Sequence, residues 1–314
     1  MKHLVLGGEG FIGAALTARL LAEGHEAVVL GTGKTSRLDG LDCQVITADV
    51  RDTEAVTAAA RGCDSVIHLA FVQGTRNFYT RPSEVLSVAI SGMTACLEAI
   101  AAAGVRELVY VSSAEAHQSA VLPTPEDTPL TVPDVLTPRF SYGGGKIACE
   151  LMAAAAYHDG LCDRAAIIRP HNVIGPDMSD DHIVPDLARR IGALDRDQPA
   201  GVLEVPIQGY GDETRCYTYI SDTIDQFTLI MEHAGPLGVY HAGSKDERTA
   251  SEVAAAIGAC YGRDVKVIPG PLAKGSPVRR QPGLGFLDSL GYQPQVDFAE
   301  AIARTVAWYQ EHRD

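Results

Sequence analysis

The sequence predicts an α/β protein built on a doubly wound parallel sheet, and two observations lead to that prediction. Short apolar runs alternate with longer helical patterns through the first half of the chain, and the links between them are short. This alternation is typical of parallel strands that are covered by helices on both faces. After Pro170 the rhythm changes, because proline and glycine become frequent. We therefore expect a smaller, irregular C-terminal part beside the sheet.

The elements of the sheet follow in order along the first half. The predicted strands are Leu4–Leu6, Ala27–Leu30, Gln44–Ile46, Ser65–Leu69, Glu107–Val111 and Arg164–Ile168. The helices between them are Phe11–Glu23, Thr53–Ala60, Pro82–Ala103 and Tyr142–Asp159. With 314 residues the chain exceeds the usual size of one compact domain. We expect residues 1–170 to form the sheet domain, with later strands and helices returning from 210–245, and 171–314 to form mainly a second domain that shares a cleft with it.

Composition and charge exclude several partners. The formal net charge of −14 opposes nucleic acid and anionic membranes, which both require a basic patch. The seven cysteines are scattered without zinc-type spacing, which predicts a reduced cytoplasmic chain and no metal site. The N-terminus runs directly into the first strand, so we expect neither a secretion signal nor a transmembrane helix.

A glycine turn follows the first predicted strand and opens the first helix. Gly7, Gly10 and Gly13 have three-residue spacing. The first glycine permits a tight turn, the second lets backbone N–H groups approach a pyrophosphate, and the third lets the helix pack on the strand. The helix N-terminus, here Phe11 and Ile12, then offers unpaired donors to phosphate. The turn predicts a Rossmann-type site for a dinucleotide.

The second strand lacks one part of this fingerprint. An acid that holds the ribose hydroxyls is expected at its end, but Gly31 stands there, followed by Thr32. Without that carboxylate a 2′-phosphate would not be repelled, and Lys34 or Arg37 could pair with it, so NADP stays open beside NAD. Asp49 and Val50, after the third strand, stand where an adenine contact could be made.

Tyr142 and Lys146 are four residues apart at the start of a predicted helix, and therefore share a face. A phenol has a pKa of about 10 and is a poor base at neutral pH, but a neighbouring ammonium favours the phenolate. Such a phenolate can remove a hydroxyl proton while a hydride leaves the same carbon for a nicotinamide. The pair predicts an enzyme that oxidises an alcohol.

Taken together, these motifs resemble the extended short-chain dehydrogenase/reductase family, and most closely its nucleotide-sugar epimerase/dehydratase branch. The resemblance covers nearly the whole chain. Besides the glycine turn and the Tyr–Lys pair it rests on Asp49, His68-Leu69-Ala70, Ser112-Ser113, Arg169–Pro176, Thr214–Asp222, Leu290–Pro294 and Thr305–Tyr309. Ala89 and Ala116-His117-Gln118 depart from the pattern, since the family has asparagine and Val-Tyr-Gly there.

The resemblance implies roles for further residues. It implies that Leu69 and Ala70 contact the cofactor, and that Lys146 also holds the nicotinamide ribose. Ser113 would share the substrate hydroxyl with Tyr142. Asn172, Arg215 and Arg279 or Arg280 would hold the diphosphate of a nucleotide sugar, a task suited to the arginine fork in a chain this acidic. Val184 is either a nucleoside-base contact or apolar core, and the two long alanine-rich helices either form a homodimer interface or only cover the sheet.

The reaction is narrowed by the segment after the fifth strand. In sugar 4,6-dehydratases this segment resembles Thr-Asp-Glu, whereas this chain has Ser113-Ala114-Glu115. Ala114 therefore stands where an acid would protonate the leaving hydroxyl, and alanine can donate no proton. We therefore expect a homodimeric NAD(P)-dependent nucleotide-sugar epimerase that acts at C4 through a 4-keto intermediate. A decarboxylase, which would keep Glu115, or a dehydratase is the enzymatic alternative. A non-catalytic NAD(P)-binding regulatory or scaffold protein is the alternative of another class.

Overall fold

The computed structural model describes residues 1–33, 36–118, 121–198 and 200–312. It divides into two compact units. The sheet unit comprises Met1–Gln118, Asp127–Pro170 and Ile224–Ala242. The second unit comprises Ser119–Glu126, His171–Thr223 and Gly243–Asp314.

The sheet unit is built on a seven-stranded parallel sheet. Its strands are β1 (Lys2–Leu6), β2 (Glu26–Gly31), β3 (Gln44–Thr47), β4 (Ser65–His68), β5 (Glu107–Val111), β6 (Arg164–Pro170) and β11 (Leu237–Ala242), in the order β11-β6-β5-β4-β1-β2-β3. The order reverses direction at β1, which is where doubly wound sheets bind ligands beyond the carboxyl ends of their strands. The predicted fold class is confirmed.

Within the described residues, five helices and one 3₁₀ turn connect these strands up to β6. They are α1 (Phe11–Ala22), α2 (Thr53–Ala60), α3 (Thr75–Thr80), α4 (Pro82–Ala103), α5 (Phe140–His158) and a 3₁₀ turn (Ala114–Ala116). The ends of α4 follow from its sequence, since Pro82 occupies its first turn and Gly104 ends it with a φ of 70°. Helix α3 is absent from the prediction, because it is too short to show a period.

The core of the sheet unit lies between the strands and these helices. Leu4, Leu6 and Leu30 project from the sheet and are fully buried against α2 and α4. Small residues let α4 and α5 approach closely, since a Cβ added at Gly145 would lie 3.2 Å from the Cβ of Ala89. The close helix pair fixes the direction of α5, which carries Tyr142 and Lys146.

Helix α4 is the one element among the described residues that is long and apolar enough, by length and composition only, to cross a membrane. The expectation that the chain has no transmembrane helix stays a prediction. Buried core helices pass the same test, and Met93, Cys96 and Ile100 of α4 are fully buried in the sheet unit. These contacts are those of a helix that covers a sheet.

The second unit combines small sheets with longer helices. Its elements are β7 (Val173–Ile174), α6 (Ile183–Asp197), β8 (Leu203–Pro206), β9 (Thr214–Cys216), β10 (Thr218–Tyr219), the start of α7 (Ile220–His233), β12 (Glu247–Thr249), α8 (Ala250–Cys260), β13 (Val265–Ile268), β14 (Arg279–Arg280), α9 (Gly285–Ser289) and α10 (Phe298–Glu311). The pairs β7–β10 and β8–β13 are parallel, and β9 lies between β12 and β14. This part is more helical than the sequence indicated. One cause is local, because Thr249 and Glu252 form a capping box that starts α8.

Candidate active site

The glycine turn has the geometry that a dinucleotide requires. Gly7 has a φ of 79°, and a Cβ there would lie 2.7 Å from the backbone nitrogen of Ala70. A Cβ at Gly13 would lie 2.4 Å from the carbonyl oxygen of Gly7. Side chains at either position would therefore push the turn away from β4 or from α1. The turn thus brings Ala70 against Gly7, and the cofactor contacts of both residues stay predictions.

The N-terminus of α1, which follows this turn, has backbone N–H groups without partners in the helix. Gly10 is its N-cap and, within the described residues, no side chain caps this end. The first N–H bonded within the helix is that of Ala14, to the carbonyl of Gly10. The N–H groups of Phe11, Ile12 and Gly13 thus have no partner within the helix and suit a pyrophosphate.

Next to the end of β2 lies a residue from the glycine turn that sequence reasoning missed. The carboxylate of Glu9 in the glycine turn accepts hydrogen bonds from the N–H of Gly33, at 2.9 Å to each oxygen. Thr32 beside it is exposed. Lys34, predicted to contact the cofactor, lies outside the described residues. The only sequence signal for Glu9 was an acidic residue among glycines.

The other predicted cofactor residues surround the same edge. Arg51 binds Asp49 through two nitrogens, at 2.9 and 2.6 Å, and this hydrogen bonding lowers the pKa of the Asp49 carboxyl. Val50 is buried next to α4, where a Cβ added at Gly92 would lie 2.9 Å from it. Leu69 directly follows β4 and is half-buried. The adenine contact of Asp49 and Val50 stays a prediction.

Tyr142 and Lys146 lie in the first two turns of α5 and are both buried. Helix α5 begins at Phe140, two residues earlier than predicted. The ring of Tyr142 stacks on Phe78 with centroids 4.4 Å apart, and its hydroxyl accepts a hydrogen bond of 3.3 Å from Gln73 Nε2. Both partners come from the segment around α3, so this unpredicted segment packs directly against Tyr142.

Lys146 is held at the end of β5. Its Nζ donates to the carbonyl oxygen of Val111 at 2.8 Å and lies 4.1 Å from the ring centroid of Phe71. Nζ also lies 5.7 Å from the ring centroid of Tyr142. Burial lowers the pKa of Lys146 to about 7. The ammonium is therefore costly to maintain here, and a negative phenolate nearby would favour it.

Ser113 and Glu115 form a corner between β5 and α5. The Ser113 hydroxyl accepts from the N–H of Glu115 at 3.1 Å and so caps the 3₁₀ turn. A Cβ at Gly143 would lie 2.7 Å from the Glu115 carbonyl oxygen, so glycine is needed for α5 to begin against this corner. The buried guanidinium of Arg139 binds both Glu115 oxygens at 3.2 Å. Neither Arg139 nor the need for Gly143 was predicted.

A buried polar network lies behind this corner and was also missed. Arg169 forms an ion pair with Glu150, one turn beyond Lys146 on α5, and its Nη1 lies 3.0 Å from His117 Nε2. His117 Nε2 also lies 2.8 Å from His241 Nε2. A guanidinium can only donate, so His117 Nε2 is an acceptor and the N–H of His241 Nε2 points to it. His117 belongs to the Ala116-His117-Gln118 segment that departs from the family pattern, whereas the sequence analysis did not single out His241.

The predicted ligands of the second unit have structural partners. Asn172 has a φ of 25°, a region that asparagine tolerates, and its Nδ2 donates to the Cys216 carbonyl at 3.3 Å. The Arg215 guanidinium donates to the carbonyls of Thr214 at 2.7 Å and Pro277 at 2.6 Å.

Arg280 and Val184 are both buried in that unit. Arg280 lies opposite Arg215 in the β9–β14 pair, and Arg279 forms an exposed ion pair with Glu247. Val184 is fully buried, which is the environment of a core residue. Ligand contacts at Asn172, Val184, Arg215 and Arg280 stay predictions. Among the described residues, no group of three His, Cys, Asp or Glu side chains could hold a metal ion.

Comparison with known proteins supplies the class. The profile of the NAD dependent epimerase/dehydratase family matches residues 3–243. The chain belongs to this family of NAD-dependent enzymes, as the sequence motifs predicted.

Individual relatives span several reactions. The chain is 29% identical to the UDP-glucose 4-epimerase of Mycolicibacterium smegmatis, over 99% of this chain and 99% of that one. It is 25% identical to the UDP-N-acetyl-α-D-glucosaminuronate decarboxylase of Bacillus cytotoxicus, over 99% and 98%. The crystal structure of the dTDP-glucose 4,6-dehydratase DesIV from Streptomyces venezuelae with NAD bound has a TM-score of 0.85, 27% identity, and coverage of 100% of this chain and 98% of that one. Family membership and NAD are therefore shared, while the relatives differ in reaction.

Proposed function

We propose that this enzyme is a nucleotide-sugar 4-epimerase that works through a 4-keto intermediate. The observation that carries the proposal is the corner beside the Tyr142–Lys146 pair. Ala114 can donate no proton, and Glu115 is bound through both oxygens by the buried Arg139. A carboxylate held in this way is favoured in its charged form and is a poor proton donor. Epimerisation needs no acid beyond Tyr142.

The protein groups divide the work as follows. NAD, when bound, supplies the oxidant that takes the C4 hydride and later returns it. Tyr142 accepts the proton of the C4 hydroxyl. It gives the proton back after the keto sugar has rotated in the site and presents its other face for hydride return. Lys146, whose ammonium is poorly solvated, favours the phenolate, and the Gln73 amide donates to the same oxygen. Ser113 positions the hydroxyl from the edge of the corner.

Elimination and decarboxylation are the competing outcomes of the same oxidation. Elimination of water across C5 and C6 requires an acid to protonate the leaving hydroxyl, and the position expected for it is Ala114. Decarboxylation requires a uronic acid substrate, and one relative at 25% identity has a decarboxylase name. Glu115 is the residue that branch would keep, but Arg139 already neutralises it. The observed corner therefore supports epimerisation over both.

The test is a substrate panel. Purified protein is incubated with UDP-, dTDP-, GDP-, CDP- and ADP-linked hexoses and uronic acids, and the products are identified by mass and NMR. Epimerisation gives a product of unchanged mass whose NMR spectrum shows the inverted configuration at C4. A product lighter by water would establish a dehydratase, and one lighter by carbon dioxide a decarboxylase, and either result would contradict the proposal.

The active form is proposed to be a cytoplasmic homodimer that pairs through α4 and α5. Leu86, Ile90 and Leu151 on these helices are exposed apolar residues of the sheet unit. All seven cysteines are free thiols, which suits a reducing compartment. Sedimentation equilibrium tests the dimer: Leu151→Glu should yield monomer, whereas Leu290→Glu, an exposed leucine of the second unit, should not.

A further inference from the structure

The carboxylate that β2 lacks is present in space, because it comes from the glycine turn. A Cβ added at Gly31 would lie 2.3 Å from Oε2 of Glu9 and 2.6 Å from its Cδ. The Glu9 side chain therefore fills the volume that an acidic side chain at the end of β2 would need. Glu9 is only 8% exposed, and the Gly33 N–H holds its carboxylate through both oxygens.

The chemistry of this place is known from the fold. An acid at the end of the second strand accepts hydrogen bonds from the adenosine ribose of NAD and repels the 2′-phosphate of NADP. A carboxylate has about four lone-pair sites, so the Gly33 N–H, its hydrogen-bond donor among the described residues, leaves it able to accept from a ribose hydroxyl. Position, charge and acceptor capacity thus agree with the role of the missing strand residue.

We propose that Glu9 is the residue that selects NAD over NADP in this enzyme. Its carboxylate accepts from the ribose 2′-hydroxyl and excludes a phosphate from the same position. The role is independent of the reaction at the sugar, so it would hold for an epimerase, a decarboxylase or a dehydratase alike.

Arg37 is the competing influence, since a guanidinium here would attract a 2′-phosphate. Its Nη1 lies 3.4 Å from the backbone carbonyl oxygen of Glu9. The proposal therefore predicts that the Glu9 carboxylate outweighs Arg37. Arg37→Ala should change the NADP-to-NAD affinity ratio by less than about threefold, as expected for a partly solvated charge.

The first experiment measures affinity without turnover. Nucleotide-free protein is titrated calorimetrically with NAD, NADP, ADP-ribose and 2′-phospho-ADP-ribose. Glu9→Gln keeps the size of the side chain and an acceptor for Gly33 but removes the charge. It should raise the NADP-to-NAD affinity ratio by about 10- to 100-fold. Glu26→Gln, an exposed glutamate at the opposite end of β2, is the control and should leave the ratio unchanged.

The second experiment moves the carboxylate. Gly31→Asp alone should weaken NAD binding about tenfold or more, because the new side chain meets Glu9 and places two carboxylates together. Adding Glu9→Ala removes that conflict and should restore NAD binding and its preference over NADP. The Glu9→Ala variant alone should lose the preference. Thermal unfolding of each variant shows whether it is folded.

Two results would overturn the proposal. One is a Glu9→Gln protein, folded by its melting curve, that has the wild-type NADP-to-NAD ratio with both ADP-ribose probes. The other is a Gly31→Asp protein that binds NAD as well as wild type, which would mean that Glu9 does not occupy this place. If Glu9→Gln does not fold, the Glu9→Ala/Gly31→Asp protein decides, since failure to prefer NAD would likewise reject the role.

Discussion

Arg169 and Glu150 form a buried, two-point ion pair between the end of β6 and helix α5. Arg169 Nη2 lies 2.6 Å from Glu150 Oε2, and Nε lies 2.9 Å from Oε1. Ser112, at the end of β5, also donates to the Glu150 carboxylate. One side chain of α5 is thus tied to two neighbouring strand ends, one turn beyond Lys146, and this pair positions the helix that carries the Tyr–Lys motif.

Breaking that pair should be costly. Arg169→Met leaves the Glu150 charge buried without its partner, and we expect a loss of about 3–5 kcal/mol in the free energy of unfolding. Urea denaturation measures it. Arg106→Met, which removes an exposed ion pair with Asp163, should cost no more than about 1 kcal/mol. The double variant Arg169→Met/Glu150→Met should recover part of the loss, and equal costs for the two single arginine variants would show that the buried pair contributes nothing special.

Tyr142→Phe should abolish turnover while leaving the fold and NAD binding intact. The phenol oxygen is the proposed proton acceptor, and a positioned acid–base group contributes about 10²- to 10⁴-fold to a rate. Stopped-flow or product assays give the rate, and calorimetry gives the NAD affinity. Tyr157→Phe, farther along α5, is the control and should keep full activity. A Tyr142→Phe enzyme with wild-type turnover would reject the assigned base.

Gln73 should shift the pH dependence of turnover. Its amide donates to the Tyr142 oxygen, and a hydrogen bond of this kind favours the charged form of the acceptor. Gln73→Leu removes this donor and should move the acidic limb of the kcat–pH profile to higher pH by about one unit. Gln73→Glu keeps the size of the side chain but adds a negative charge, and should move the limb farther in the same direction. A profile that keeps its wild-type limb in both variants would assign Gln73 to packing alone.

Lys146 should leave a signature in stability against pH. Burial lowers its pKa from 10.5 in the unfolded chain to about 7 in the folded protein. Below pH 7 the ammonium is charged in both states and its burial cost is fully present; between 7 and 10.5 the unfolded chain holds more protons, so stability rises with pH. Lys146→Met should therefore be more stable than wild type by a few kcal/mol below pH 7, and the gain should fade toward pH 10.5.

The control for this effect is an exposed lysine. Lys266→Met removes a solvated ion pair with Glu204 and should produce no such trend across that pH window. Chemical denaturation at several pH values from 6 to 10 provides the comparison. A Lys146→Met gain that stays constant with pH would mean that the lysine is not held in its high-cost environment.

The strands and helices of the sheet unit were predictable because each carries its own periodic signal. Strand β5 was located to the residue, and α4 to both ends, since proline and glycine mark its limits. Helix α3 was not found, because six residues cannot show a helical period. Its consequence is direct, since the stacking of Phe78 on Tyr142 was missed with it.

The site was predictable in its motifs but not in its partners. The spacing of Tyr142 and Lys146 indicates a shared helix face, whereas the contacts of Arg139, Arg169 and Gln73 join residues that are far apart in sequence. No local pattern encodes such pairs. Gly31 was read correctly as a missing acid, but the compensation by Glu9 depends on how the turn approaches β2, which only the folded backbone shows.

The approach of Glu9 to β2 has a consequence for how coenzyme preference is inferred from sequence. A rule that inspects only the last residue of the second strand would assign this chain to the phosphorylated coenzyme. The acidic group has changed its place of attachment on the chain while keeping its place in the fold. Homologues with glycine at that strand end should therefore be sorted by the residue that corresponds to Glu9, immediately before Gly10 of the turn.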